Sequence, residues 1–213
     1  SGQLALQAKT KIHEKYHHKA QKTTKMSKPV HPATVHFPIA FLSLGYGLDI
    51  LHSLGGNLPN VIANALPPAN DLSRAAYYML SLGLITSIPA VMSGGQQAVQ
   101  LFSKQGMYEA DGKTLKLKSK AVIAHAVTND LVLAVTTYLW YSRRQQAANT
   151  LAGKLGVESL ATAEAAYAPQ MWQVIAEVLA LGVLLFAASI GGALTYNYGV
   201  GFAPAGKSGK KSQ

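Results

Sequence analysis

Hydrophobic positions along the chain gather into four long runs separated by polar stretches: Val35 to Leu54, about Ala75 to Phe102, about Ala121 to Tyr141 and about Trp172 to Tyr196. Each run approaches or exceeds the ~20 residues that a helix needs to cross ~30 Å of hydrocarbon, so the pattern predicts four membrane-spanning helices. The first run opens inside the stretch HPATVHFPIAF, His31 to Phe41, where a lysine-rich polar segment stops. Pro32 and Pro38 there read as residues of a first helical turn, whose N–H groups lack partners anyway. Pro89 falls within the second run and predicts a kink. The connections differ in kind. Gly55 to Asp71, with three prolines, predicts an irregular loop, and Ser103 to Lys120 carries Asp111-Gly112, a hairpin-turn signal. Arg143 to Gln170 is alanine-rich and predicts a short amphipathic helix lying outside the bilayer. No internal repeat is evident along the chain.

Composition agrees with this pattern. Of 213 residues, 49% are hydrophobic and 13% charged, where a soluble domain carries about 25% charged residues. Mean hydropathy is only +0.14, because the apolar runs alternate with polar segments. The absence of cysteine excludes disulfides, thiolate metal sites and thioether attachment of haem. The expected fold is therefore an all-α four-helix transmembrane bundle at 31–201, between a basic tail at 1–30 and a second basic tail at 202–213.

Charge distribution orients that bundle. Seven lysines precede His31, five lie from Lys104 to Lys120 and three follow residue 206, leaving Arg74, Arg143, Arg144 and Lys154 for the opposite side. Positively charged connections stay inside, so both termini are expected on a cytoplasmic face, or on the matrix or stromal face of an organelle. This also accounts for the formal charge of +10 without nucleic acid, for which no reading module is present. Tyr77, Tyr78, Trp140, Tyr141 and Trp172 fall at the sparsely charged end and suit an interfacial aromatic belt.

Depth then sorts the polar residues within the runs. His36 lies one turn inside the first, and His125 a few residues inside the same end of the third. Ser93, Gly94 and Gly95, together with Gly191, Gly192 and Tyr196, come to that layer from the second and fourth. Two imidazoles facing each other across small residues are one way to hold a b-type haem, with His36 and His125 as the expected metal ligands. His31, five residues from His36, is expected off that helical face, capping the site. Asn129, one turn after His125, is placed to orient it. Asp49 and His52 read as a polar contact at the opposite end. No nucleophile elbow and no phosphate-binding glycine loop is present.

The residues HPATVHFPIAF, Ser93 to Gly95, His125 and GGALTYNYGVG from Gly191 to Gly201 resemble the predicted membrane proteins catalogued as domain of unknown function 2231. The resemblance covers about residues 31 to 201 and implies a four-helix membrane module. Some members are joined to Rieske-type iron–sulfur domains, which implies electron transfer. The expectation is thus a haem b protein of the lipid bilayer that passes electrons, with a quinone or a redox protein as partner. Glycine-lined faces permit a homodimer. The competing readings are an assembly protein without cofactor, and transition-metal binding or transport through His31, His36 and His125.

Overall fold

The structure, a computed structural model, describes residues 30–152 and 165–200. The basic tails expected before residue 31 and after residue 201 lie outside the described residues, apart from Val30. Four long helices make up the fold: α1 Val30–Leu54, α2 Ala69–Gln105, α3 Leu117–Ala152 and α4 Met171–Tyr196. All four are long and apolar enough to cross a membrane, as expected for a multi-pass integral membrane protein.

Helix ends follow local chemistry more closely than hydropathy. α1 starts at Val30, so His31 is already helical, and Pro38 sits in the interior rather than in the first turn. α2 runs unbroken past Pro89 and ends at Gly106, whose φ of 68° suits glycine and whose N–H reaches the carbonyl of Phe102. α3 continues well beyond Tyr141. The sequence RRQQAANTLA is made largely of good helix formers, so the helix outlasts the apolar run that crosses the bilayer. Residues 143–152 therefore extend α3 rather than opening a separate helix, while 153–164 lie outside the described residues. α4 opens on a capping box, in which Gln170 and Gln173 exchange side-chain and backbone hydrogen bonds.

The connections are short structures of their own. A 3₁₀ turn at Gly55–Asn57 and a single helical turn at Asn60–Ala63 lead from α1 to α2. Between α2 and α3, Tyr108 and Leu115 pair antiparallel across a tight turn with Gly112 at φ 66°, as the Asp111-Gly112 signal predicts.

α1 packs chiefly on α2 and α3 on α4, and the two hairpins meet along α1–α4 and α2–α3. Leu42, Tyr46, Leu80, Val132, Ala180 and Leu184 fill the centre. Close approach of α1 and α2 depends on Gly83, against Leu42, and on Gly45, against Leu80. Outward positions are apolar instead of charged: Phe37, Leu44, Ile85, Ile88, Leu131, Leu179, Leu185 and Phe186 are all exposed. Such a surface is stable against hydrocarbon and not against water.

Burial exposes a relationship that the residue identities conceal. In α1 the positions Pro38, Leu42, Gly45 and Asp49 are buried, and at the same spacing in α3 so are Val132, Thr136, Leu139 and Arg143. Likewise Ala76, Tyr77, Leu80, Gly83, Ser87 and Ala90 of α2 correspond to Gln173, Val174, Glu177, Ala180, Leu184 and Ala187 of α4. The two hairpins are a parallel internal repeat, related by an approximate two-fold axis along the bundle.

Candidate functional site

At one end of the bundle the repeat brings two imidazoles together. His31 of α1 and His125 of α3 occupy equivalent positions, with ring centroids 6.4 Å apart and planes at 82°. Each is fixed in the same way. His31 Nδ1 is 3.0 Å from the carbonyl of Ala90, and His125 Nδ1 is 3.0 Å from that of Ala187. A carbonyl can only accept, so both Nδ1 atoms carry the proton in a neutral ring and both Nε2 atoms keep a lone pair, that of His125 lying 3.5 Å from the Asn129 amide nitrogen. Each ring then lies on the glycine one turn beyond its carbonyl. A Cβ at Gly94 would stand 2.7 Å from His31 Cε1, and one at Gly191 would stand 2.8 Å from His125 Cε1.

Hydroxyls complete the frame. Thr34 donates to the carbonyl of His31 at 2.9 Å, and Thr128, its counterpart, points between the carbonyls of Ala124, at 2.7 Å, and His125, at 3.1 Å. Ser93 donates to Ala90 at 3.0 Å and lies 3.1 Å from both His31 Nδ1 and Thr34 Oγ1. Asn129 donates to the carbonyl of His125 at 2.7 Å, with its amide 3.3 Å from the ring. Outer groups of this kind set the tautomer and hold a ligand ring in place.

The structure thus pairs His125 with His31 and leaves His36 apart. Five residues turn a helix by about 140° beyond one revolution, so His31 and His36 point to different sides of α1. His36 is exposed, with Nδ1 2.5 Å from the carbonyl of Pro32 on its own helix. Of the other sequence candidates, Ser93, Gly94, Asn129 and Gly191 border the pair. Gly95 and Gly192 have open space where a Cβ would lie, and Tyr196 is 85% exposed. His52 instead reaches the carbonyl of Ala69 at 2.7 Å, at the other end. Among the described residues, no three histidine or carboxylate side chains gather in a metal-binding group.

That other end holds a cluster which the sequence reading missed. Asp49 of α1, Arg143 of α3 and Glu177 of α4 are all fully buried. Arg143 Nη1 pairs with Asp49 Oδ2 and stands 3.8 Å from Glu177 Oε1. Its Nη2 donates to the carbonyls of Ser73, at 2.9 Å, and Tyr167, at 2.5 Å. Tyr77 and Trp140 stack beside it with centroids 6.0 Å apart, and the Arg143 guanidinium lies 5.9 Å from the Tyr77 ring centre. The signal was present: Asp49 follows His31, and Arg143 follows His125, by the same eighteen residues.

Residues 27–204 match the family described as predicted membrane protein (DUF2231), and the chain belongs to that family. No curated protein and no solved structure matches the chain.

Proposed function

We propose that this member of the DUF2231 family is a b-type haem protein that carries electrons within the membrane, with His31 and His125 as the axial ligands. The observation that carries the reading is the symmetric convergence of two imidazoles, each with Nδ1 tied to a backbone carbonyl so that Nε2 keeps its lone pair. Two nitrogens each about 2 Å from one iron would put ring centres roughly 6 Å apart, close to the 6.4 Å between these rings.

Coordination number favours haem over a bare ion. A zinc or copper site needs three or four protein donors, and here a third donor is lacking among the described residues. Haem brings its own equatorial nitrogens and needs only the two axial ones from the chain, and it would supply one-electron redox chemistry. The chain's part is to hold the two rings, through Ala90, Ala187 and the glycines beneath them, in one geometry. Gly94 and Gly191 admit the two rings themselves, since a Cβ at either would stand within 2.8 Å of an imidazole carbon. The lysine distribution favours a site near the cytoplasmic face, or the matrix or stromal face of an organelle, and the proposed electron partner is a quinone or a redox protein.

The test is a reduced-minus-oxidised absorption spectrum of the detergent-purified protein, with a pyridine extract to count haem. About one low-spin b-type haem per chain is expected. His31→Ala and His125→Ala should each abolish it, and His36→Ala should leave it unchanged. A colourless wild-type protein would overturn the reading, and loss of haem on His36→Ala alone would overturn the ligand assignment.

A further inference from the structure

We propose that Asp49, Arg143 and Glu177 form a membrane-embedded proton-binding site, in which Glu177 holds an exchangeable proton and shares it with Asp49. This inference is independent of the haem reading, since it concerns the opposite end of the bundle.

The argument begins with a charge count. Two carboxyl groups and one guanidinium meet where none of the three is exposed. Arg143 is committed to Asp49 through the ion pair and to Ser73 and Tyr167 through their carbonyls. One guanidinium neutralises one carboxylate, so a second ionised carboxylate would be a surplus charge cut off from water. Among the described residues, no other lysine or arginine comes within ion-pair range of either carboxylate.

Hydrogen bonding points the same way. Both oxygens of Glu177 and Oδ1 of Asp49 have no donor. The two carboxyl groups converge on one nitrogen, Arg143 Nη1, with Asp49 Oδ2 paired to it and Glu177 Oε1 3.8 Å away. As carboxylates they could only repel, because each would be purely an acceptor. One proton on Glu177 turns an acceptor without a donor into a donor, with the neighbouring Asp49 carboxylate as its acceptor, and removes the surplus charge.

Arg143 Nε is also without a partner, but it belongs to the one guanidinium already counted, and the neighbouring side chains among the described residues supply no other donor. From α1, Tyr46 gives its hydroxyl hydrogen to Thr136, whose own goes to the carbonyl of Val132, and His52 is held by Ala69. From α2, Ser73 presents a carbonyl to Arg143 and turns its hydroxyl to Asn70. From α3, Arg144 lies over the Trp140 ring, and Gln173 of α4 donates to Ser142. Glu177 is thus left with Asp49 and the edge of Arg143.

Infrared spectroscopy of the full-length protein in detergent at neutral pH tests this. The wild type should show a carbonyl stretch of a protonated carboxyl that moves to lower frequency in D2O, and the band should vanish in Glu177→Gln. Asp49→Asn should shift the same band by changing its hydrogen-bond partner. No protonated-carboxyl band in the wild type, a band insensitive to D2O, or one that survives in a folded Glu177→Gln protein would each overturn the proposal. The wild-type spectrum decides even if the variants fail to fold. Absence of the band with unfolding that depends on sodium would identify a metal-cation site instead, and would equally overturn it.

Discussion

Asp49 and Arg143 form a buried ion pair between equivalent positions of two equivalent helices, five turns below the pair formed by His31 and His125. The approximate two-fold axis therefore passes between like residues at one end and between opposite charges at the other. Like residues suit a ligand that accepts one donor from each side. Opposite charges hold the diagonal helices together where no ligand is required. At 1.5 Å per residue the two layers are separated by about 27 Å, most of the thickness of a bilayer's hydrocarbon.

The ion pair should be costly to break and much less costly to replace. Arg143→Leu leaves Asp49 buried without its counter-charge, an error of about 3–5 kcal/mol where such pairs have been broken. Asp49→Leu combined with Arg143→Leu removes both charges, and the double variant should unfold closer to wild type than Arg143→Leu does. Denaturant unfolding in detergent measures the cycle. Additive losses from the two single substitutions would show that the pair is not coupled.

Glycines beneath the histidines give a matched set of variants. Gly94→Ala and Gly191→Ala put a methyl group 2.7 Å and 2.8 Å from the Cε1 atoms of His31 and His125, so each ring must move. Each should destabilise by about 1–3 kcal/mol and weaken haem retention. Gly95→Ala and Gly192→Ala meet nothing within 4 Å and should be neutral, or stabilise by up to about 1 kcal/mol through higher helix propensity. Thermal unfolding and haem content of the four proteins test the contrast, which fails if all four behave alike.

The architecture was legible in the sequence because hydropathy acts on whole segments. Four helices, their order and the turn at Asp111-Gly112 follow from the sequence pattern, whereas the end of α3 at Ala152 does not. Which histidine faces inward was a matter of single residues. Hydropathy ranked His36 as deeper than His31, but helical phase decides orientation, and phase could be fixed only once α1 was seen to begin at Val30. The charged cluster was missed for a related reason. Arg143 stands after the apolar run, where a positive charge reads as the interface, yet α3 carries it onward while packing against α1 and α4. The repeat was hidden because burial is shared between positions whose identities differ, such as Leu80 with Glu177 and Asp49 with Arg143. His31 with His125, Thr34 with Thr128, and Gly94-Gly95 with Gly191-Gly192 were the identities that could have revealed it.

The turn between α2 and α3 should respond to acid, with a sign set by Asp111. Its carboxyl accepts from the Thr114 hydroxyl and, at 2.9 Å each, from the N–H groups of Thr114 and Lys113. These bonds favour the ionised form, so they hold the carboxyl below the usual aspartate range, the Thr114 hydroxyl contributing most. A folded-state value below the unfolded one makes the contribution complete above the unfolded value of about 3.9, and it is lost as pH falls through the lower folded value. Exchange of the Lys113 and Thr114 amide hydrogens should therefore be slowed at pH 5 relative to Asp111→Asn, with the difference fading as the carboxyl protonates. Membrane insertion and the helix spectrum should stay the same throughout, because the turn lies outside the packed bundle. Equal protection in wild type and Asp111→Asn at pH 5 would show that Gly112 and the backbone bonds of the turn suffice without the carboxylate.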